Sequence, residues 1–130
     1  MGSAANPRIL IVDDETDFGA YVGEVAEALG FAVHVTSSGA EFRAAFDAFQ
    51  PTHVSLDMIM PGQDGIELIQ WLSGQGKDLK VLLISGYNPQ HMEVAAVLGQ
   101  ARKLEVVARL QKPVALATLR KALGAEMPAT

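Results

Sequence analysis

The sequence has no cysteine, so neither a disulfide framework nor a cysteine-ligated metal site can form. No apolar run approaches the roughly 20 residues that a membrane-spanning helix requires. The N-terminal MGSAANP lacks the basic and apolar regions of a secretory signal peptide. A formal net charge of -5 disfavours nonspecific binding of nucleic acid by the whole surface. We therefore expect a cytoplasmic protein with no membrane partner and no direct nucleic-acid partner.

The composition that remains is that of one globular domain. Apolar residues make up 49% of the 130 residues, which is enough to bury a single substantial core. No repeat, low-complexity tract or linker interrupts the chain. We expect one domain at residues 8–124, with short tails at residues 1–7 and 125–130.

Short apolar runs alternate with segments of helical periodicity along the whole chain. The predicted strands are residues 9–12, 31–35, 54–56, 80–84 and 106–110. The predicted helices are residues 18–29, 41–49, 66–72, about 89–103 and 116–123. Thr16 or Asp17 is expected to cap the first helix, and Gly30 to end it. This alternation predicts an α/β fold with a doubly wound five-stranded parallel sheet and helices on both faces.

Polar residues follow four of the predicted strands at the point where each strand ends. Asp13 and Asp14 follow the first strand, Asp57 the third, Ser85 the fourth and Lys112 the fifth. Each residue alone has an ordinary explanation, because a strand-terminal Asp is often a turn former or a helix cap. In doubly wound sheets, however, ligands bind beyond the carboxyl ends of the strands. The joint placement therefore favours a functional site at that edge.

A divalent cation and a phosphoryl group would account for this set of side chains. Neighbouring carboxylates repel each other unless a cation intervenes, and Mg²⁺ prefers carboxylate, water and phosphate oxygens. The Lys112 ammonium and the Ser85 hydroxyl would bind the oxygens of a transferred phosphoryl group. Asp57 is the expected nucleophile, because a carboxylate can form an acyl phosphate.

Four motifs carry a resemblance to a known family: ILIVDDE at 9–15, LDMIMPGQDG at 56–65, LLISG at 82–86 and QKP at 111–113. With them, the sequence resembles the receiver domains of two-component response regulators, the CheY-like superfamily, over residues 8–123. The resemblance implies a flavodoxin-like sheet order of 2-1-3-4-5. It also implies a phosphorylatable signalling domain rather than a turnover enzyme.

The resemblance further implies a role for each site residue. Asp57 would accept a phosphoryl group from the phosphohistidine of a histidine kinase or of a phosphotransfer protein in a phosphorelay. Ser85 and Lys112 would hold the phosphoryl oxygens. The implied Mg²⁺ ligands are Asp14, Asp57 and the main-chain carbonyl of Ile59, with Asp13 acting through water.

The resemblance also implies that signalling runs through the face formed by the predicted fourth and fifth helices. The expected partner there is a downstream protein or a missing output domain, and a homodimer through the same face is a further expectation. Only seven residues follow Leu123, so we expect either a stand-alone receiver or a piece of a longer protein. Arg109 stands three residues before Lys112, where family members usually have Tyr or Phe. The usual coupling, in which Ser85 would move together with an aromatic side chain at this position, is therefore not predicted for this sequence.

The same residues bear on three alternative functions. A receiver-shaped interaction module that no longer switches by phosphorylation is compatible with Arg109, although every acidic-site group is retained. An aspartyl-nucleophile phosphatase of the haloacid dehalogenase kind would need an acid/base Asp at the position of Ile59. A flavin or dinucleotide site would need a Gly-rich loop where the chain has Asp13-Asp14-Glu15.

Residues that follow Asp57 and Ser85 have further expected roles around the site. Pro61 is expected to fix the loop, and Gly65 to supply backbone freedom. Ile59 and Tyr87 are expected to flank the path to the phosphoryl group and to slow attack by water.

Overall fold

The computed structural model describes residues 6–58, 65–86 and 103–126. The strands are β1 (Arg8–Val12), β2 (Ala32–Thr36), β3 (His53–Asp57), β4 (Leu79–Ser85) and β5 (Leu104–Gln111). The helices within the described residues are α1 (Thr16–Ala28), α2 (Gly39–Phe49), α3 (Gly65–Ser73) and α4 (Leu116–Gly124). The helix predicted at about 89–103 lies almost entirely outside this part of the chain, so α4 is the fifth helix of the prediction.

The five strands form one parallel sheet in the order β2-β1-β3-β4-β5. The predicted doubly wound α/β fold and the flavodoxin-like order are both confirmed. In the register, Asp57 at the end of β3 lies opposite Ile84, and Ser85 lies opposite Gln111. The carboxyl ends of β3, β4 and β5 therefore finish level with one another.

A register shift between β4 and β5 contributes to that alignment. Val81 pairs with Val106, whereas Leu82 pairs with Ala108, so one extra residue of β5 is accommodated at this point. Because side chains alternate along a strand, a one-residue shift reverses the faces of the residues after it. The shift thereby determines where β5 ends relative to β4, and towards which face of the sheet the residues near Lys112 point.

Apolar side chains cover both faces of the sheet. The cluster with α2 and α3 includes Leu10, Val12, Val54, Leu56, Phe42, Phe46, Leu68 and Leu72. The cluster with α1 and α4 includes Ile9, Ile11, Leu82, Ile84, Val22, Ala26, Leu119 and Leu123. Successive residues of β1 thus enter opposite clusters, which is why a strand buried on both faces has a continuous apolar sequence. No helix in the described part of the chain is long and apolar enough to cross a membrane.

The start of α1 differs from the prediction, since neither Thr16 nor Asp17 caps the helix. Glu15 is the N-cap residue, and its side chain makes no capping hydrogen bond. The backbone N–H of Glu15 donates to Asp13 Oδ1 at 2.8 Å, which turns the chain so that Thr16 is already helical. The expected end of the helix is confirmed: Gly30 follows it with a φ of 109°, a conformation that favours glycine.

Helix α2 begins two residues before its predicted start because Ser38 caps it. Ser38 Oγ accepts a hydrogen bond from the backbone N–H of Glu41 at 3.1 Å. The Glu41 carboxylate in turn accepts one from the backbone N–H of Ser37 at 2.8 Å. This reciprocal arrangement resembles a capping box. It differs in that Glu41 binds the N–H of Ser37, one residue before the N-cap Ser38, and not the N–H of the N-cap residue itself.

Candidate functional site

The carboxyl edge of the sheet gathers the side chains that the sequence predicted there. Asp13 directly follows β1, Asp57 ends β3, Ser85 ends β4 and Lys112 directly follows β5. Asp13, Asp57 and Ser85 are buried, with exposed fractions of 2%, 3% and 0%. Asp14 is exposed beside them. Buried carboxylates are stable only with charged or hydrogen-bonding partners, so the surroundings of these groups define the site.

Three carboxylates form a compact group at this edge. Asp13, Asp14 and Asp57 each offer one oxygen, and these oxygens lie within 4.8 Å of one another. Two oxygens bound directly to one Mg²⁺ lie at most about 4.2 Å apart, given metal–oxygen distances near 2.1 Å. The group therefore fits a hard divalent cation if one carboxylate acts through water or the three move slightly together. Ile59, whose carbonyl is the other predicted ligand, lies outside the described residues.

Lys112 places its ammonium against this group. Its Nζ is 3.1 Å from Asp13 Oδ2 and 3.7 Å from Asp57 Oδ2, and it donates a hydrogen bond to Glu15 Oε1. It also lies over the ring of Phe18, at 4.6 Å from the ring centroid. The backbone N–H of Lys112 donates to the Ser85 carbonyl at 2.7 Å, which ties the exit of β5 to the end of β4.

Electrostatics keep the Lys112 side chain charged. Burial of the ammonium acts to lower the pKa of Lys112. Hydrogen bonds to the carboxylates of Glu15 and Asp13, together with the charges of Asp13 and Asp57, raise this pKa by more than burial lowers it. The net shift is upward. The site therefore presents a fixed positive charge next to Asp57 at neutral pH.

The residue after the predicted nucleophile is held by main-chain hydrogen bonds. The N–H of Met58 donates to the Ile84 carbonyl at 2.8 Å, and the N–H of Gly65 donates to the Met58 carbonyl at 2.9 Å. A Cβ on Gly65 would lie 2.5 Å from Met58 Sδ and 2.8 Å from Met58 Cα. Gly65 does not have a positive φ, so the expected need for backbone freedom is wrong. Close packing against Met58 is what excludes a side chain. Pro61 lies outside the described residues.

Two partners of Lys112 were not predicted from the sequence. In the sequence, Glu15 has no role beyond the motif ILIVDDE at 9–15 and the loop after β1, and the periodicity of α1 places Phe18 on the core face of that helix. Their spacing of three residues at the start of a helix was the available signal, because such residues lie on one face. Arg109 is exposed on β5 in register with Leu83. Tyr87 lies outside the described residues.

An open groove runs from the acidic group along the start of α1. Its lining residues are Asp14, Glu15, Thr16, Asp17, Phe18, Tyr21, Gly86, Lys112 and Pro113. The Tyr21 hydroxyl donates to the Val114 carbonyl at 3.0 Å, which fixes α1 to the chain after β5. The groove offers access from solvent to the neighbourhood of Lys112 and Asp14.

A 2-1-3-4-5 parallel sheet with three carboxylates and a lysine at its carboxyl edge defines the receiver class of α/β domain. The family model of the response regulator receiver domain matches residues 9–124. The chain belongs to this family.

Known relatives agree with this assignment. The acid tolerance regulatory protein ActR of Rhizobium meliloti (strain 1021) is 32% identical over 105 residues, covering 81% of this chain and 52% of that protein. The sporulation initiation phosphotransferase F of Bacillus subtilis (strain 168) is 25% identical over 123 residues, covering 95% of each. This chain thus spans about half the length of ActR and nearly all of phosphotransferase F.

Solved structures have the same fold. The response regulator from Colwellia psychrerythraea superposes with a TM-score of 0.79 at 27% identity, covering 92% of this chain and 94% of that one. A signal receiver domain from Bermanella marisrubri gives a TM-score of 0.78 at 25% identity, covering 92% and 97%.

Proposed function

We propose that this chain is a phosphoacceptor receiver domain of a two-component system, in which Asp57 takes a phosphoryl group from a histidine kinase or a phosphotransfer protein. The observation that carries the proposal is the group of Asp13, Asp14 and Asp57 oxygens within 4.8 Å, with the Lys112 ammonium 3.7 Å from Asp57. Membership of the receiver family supports it. So does the relative phosphotransferase F, which is by name a phosphoryl-transferring protein.

In the proposed reaction, an Asp57 carboxylate oxygen forms a bond to phosphorus while the phosphorus–nitrogen bond to the donor histidine breaks. The departing imidazole nitrogen keeps the electron pair and takes up a proton. Lys112 neutralises charge on the phosphoryl oxygens, and the Ser85 hydroxyl donates a hydrogen bond to one of them. The product is an aspartyl phosphate.

A magnesium ion fits the donor set, because carboxylate oxygens are the ligands that this ion prefers. Asp14, Asp57 and the main-chain carbonyl of Ile59 would hold it, with Asp13 acting through water. When bound, the ion would neutralise negative charge on the transferred group. Asp13 has a second task, because its carboxylate accepts hydrogen bonds from Lys112 Nζ and from the N–H of Glu15. It thereby orients the lysine and the start of α1 together.

The proposal also covers the boundaries of the domain, its location in the cell and its output partners. Residues 8–124 form the signalling unit, acting in the cytoplasm as a switch rather than a turnover enzyme. Its output runs through the predicted fourth and fifth helices to a downstream protein, an output domain or a second copy. ActR, a regulatory protein about twice as long as the matched segment, illustrates a receiver within a larger chain. Arg109 stands where receiver domains usually have Tyr or Phe, and it favours a second candidate: a receiver-shaped interaction module that no longer switches by phosphorylation.

Intact mass spectrometry after incubation with acetyl phosphate and Mg²⁺ tests the proposal. Wild type should gain a single phosphoryl group, and Asp57→Asn should gain none. Asp47→Asn, an exposed aspartate on α2, is the matched control and should label like wild type. Chelation of Mg²⁺ should abolish labelling. Undiminished labelling of Asp57→Asn, or none of wild type, would contradict the proposal.

A further inference from the structure

The nearest carboxylate to the Lys112 ammonium is not that of the proposed acceptor. Resting on the proposed function, we infer that Glu15 is a positioning residue that holds Lys112 towards α1 in the unphosphorylated domain and competes with the phosphoryl group for it. Glu15 would thereby set how readily the phosphorylated state forms.

The contacts of Lys112 carry this inference. Nζ donates hydrogen bonds to Glu15 and Asp13, whereas its 3.7 Å separation from Asp57 Oδ2 exceeds hydrogen-bonding distance. The Phe18 ring, one turn of α1 away from Glu15, lies against the same ammonium. The partners between β1 and the first turn of α1 thus hold the Lys112 ammonium away from Asp57 at the end of β3.

The two members of the pair differ in how easily they can move. The Glu15 side chain is 64% exposed, whereas that of Lys112 is 14% exposed. Glu15 can therefore leave into solvent with little loss of solvation, because exposed ion pairs are weak. Lys112 stays within the site. This arrangement allows Lys112 to exchange its hydrogen bond to Glu15 for one to a phosphoryl oxygen.

Two opposite effects on ligand affinity follow. A phosphoryl group on Asp57 must draw Lys112 from Glu15, so loss of the Glu15 charge should strengthen binding of a phosphoryl analogue. Mg²⁺ alone competes with the ammonium for Asp13 and Asp57. A lysine released from Glu15 turns to those carboxylates, so the same change should weaken Mg²⁺ binding.

The test compares Glu15→Gln with Asp17→Asn. Asp17 is an exposed acid in the first turn of α1 that lines the same groove, but it is not among the partners of Lys112 in the described part of the chain. Beryllofluoride affinity is measured by fluorine NMR at saturating Mg²⁺, and Mg²⁺ affinity alone by calorimetry. Glu15→Gln should bind beryllofluoride about two- to five-fold tighter and Mg²⁺ weaker by a similar factor, the range of an exposed ion pair. Asp17→Asn should give clearly smaller changes.

A double-mutant cycle separates action through Lys112 from loss of charge alone. In a Lys112→Met background, Glu15→Gln should change Mg²⁺ affinity no more than Asp17→Asn does. Equal effects of the two substitutions in the wild-type background, or an undiminished Glu15→Gln effect without the lysine, would overturn the inference. Absence of beryllofluoride binding in wild type would instead count against the proposed function. The Mg²⁺ measurements and the cycle would still decide the role of Glu15.

Discussion

Gly65 opens α3 at the point where the chain returns to the residue after Asp57, and its lack of a side chain is a packing requirement. In Gly65→Ala, the new Cβ would lie 2.5 Å from Met58 Sδ and 2.8 Å from Met58 Cα. The Met58 side chain can rotate, but its Cα cannot move alone. Main-chain hydrogen bonds of 2.8 Å to Ile84 and 2.9 Å to Gly65 hold it. The substitution must therefore shift the backbone next to the phosphoacceptor.

The expected loss of stability follows from overpacking. Forcing an extra carbon into a fully buried region costs about 1–3 kcal/mol, and Met58 has an exposed fraction of 0%. For a domain of this size, each kcal/mol lowers Tm by roughly 3–5 °C, so calorimetry should find Gly65→Ala melting roughly 3–15 °C below wild type. Labelling by acetyl phosphate should slow by about tenfold to about a hundredfold, because small displacements of a reacting group are costly.

Two further variants sharpen this test. Gly124→Ala is the control, since among the described residues no atom lies within 4 Å of its added Cβ apart from its chain neighbours and its own helix backbone, and it should melt and label like wild type. Adding Met58→Ala to Gly65→Ala removes the clash with the sulfur but leaves the clash with the main chain of residue 58, so it should not restore the labelling rate. A Gly65→Ala variant that keeps the stability and labelling rate of wild type would refute the packing argument.

Other outcomes follow from the buried groups and caps. Burial lowers the pKa of His53, so the folded state is more stable when the ring is neutral than when it is protonated. The free energy of unfolding therefore decreases as the pH falls from the ordinary His pKa of about 6.5 through the lowered pKa. Urea unfolding at about pH 7.5 and about pH 5 should therefore give a smaller pH difference for His53→Gln than for wild type. Phe46→Ala removes a fully buried ring that packs edge-on against Trp71 and should cost about 3–5 kcal/mol, with a change in tryptophan fluorescence of the folded state. Ser38→Ala leaves the N–H of Glu41 without its cap and should cost about 0.5–2 kcal/mol in urea unfolding.

The sheet order and the convergence of the site residues follow from patterns that are local in sequence. Apolar runs that end in Asp13, Asp57, Ser85 and Lys112 indicate strands whose carboxyl ends face one edge, and parallel pairing brings those ends together. Within the described residues, the strand and helix boundaries differ from the prediction by at most two residues, the precision expected of element ends. The chemistry of the edge could thus be predicted without knowledge of any tertiary interaction.

The features that were missed depend on distances between remote residues. The cap of α1 was assigned to Thr16 or Asp17 by propensity, but the Asp13 carboxylate takes the N–H of Glu15 and starts the helix earlier. The extra residue in β5 has no local signal, because it is needed only to match β4. The pairing of Glu15 with Lys112 joins residues 97 positions apart. No periodicity can report such a pairing.

The alternatives to a phosphoacceptor differ in what they predict for Asp57. A non-switching interaction module would keep the acidic group without forming an acyl phosphate, and an aspartyl phosphatase would release phosphate repeatedly. A phosphoacceptor and an aspartyl phosphatase would both form an acyl phosphate at Asp57, whereas a non-switching module would form none. The decisive question is therefore which atom becomes esterified.

Borohydride reduction of the phosphorylated domain answers that question most directly. The reagent reduces an aspartyl phosphate to homoserine, so peptide mass spectrometry after labelling with acetyl phosphate and Mg²⁺ identifies the modified residue. Homoserine at position 57 and at no other aspartate is the predicted result. Reduction at Asp13 or Asp14, or an unmodified Asp57 in a protein that has gained a phosphoryl group, would contradict the account.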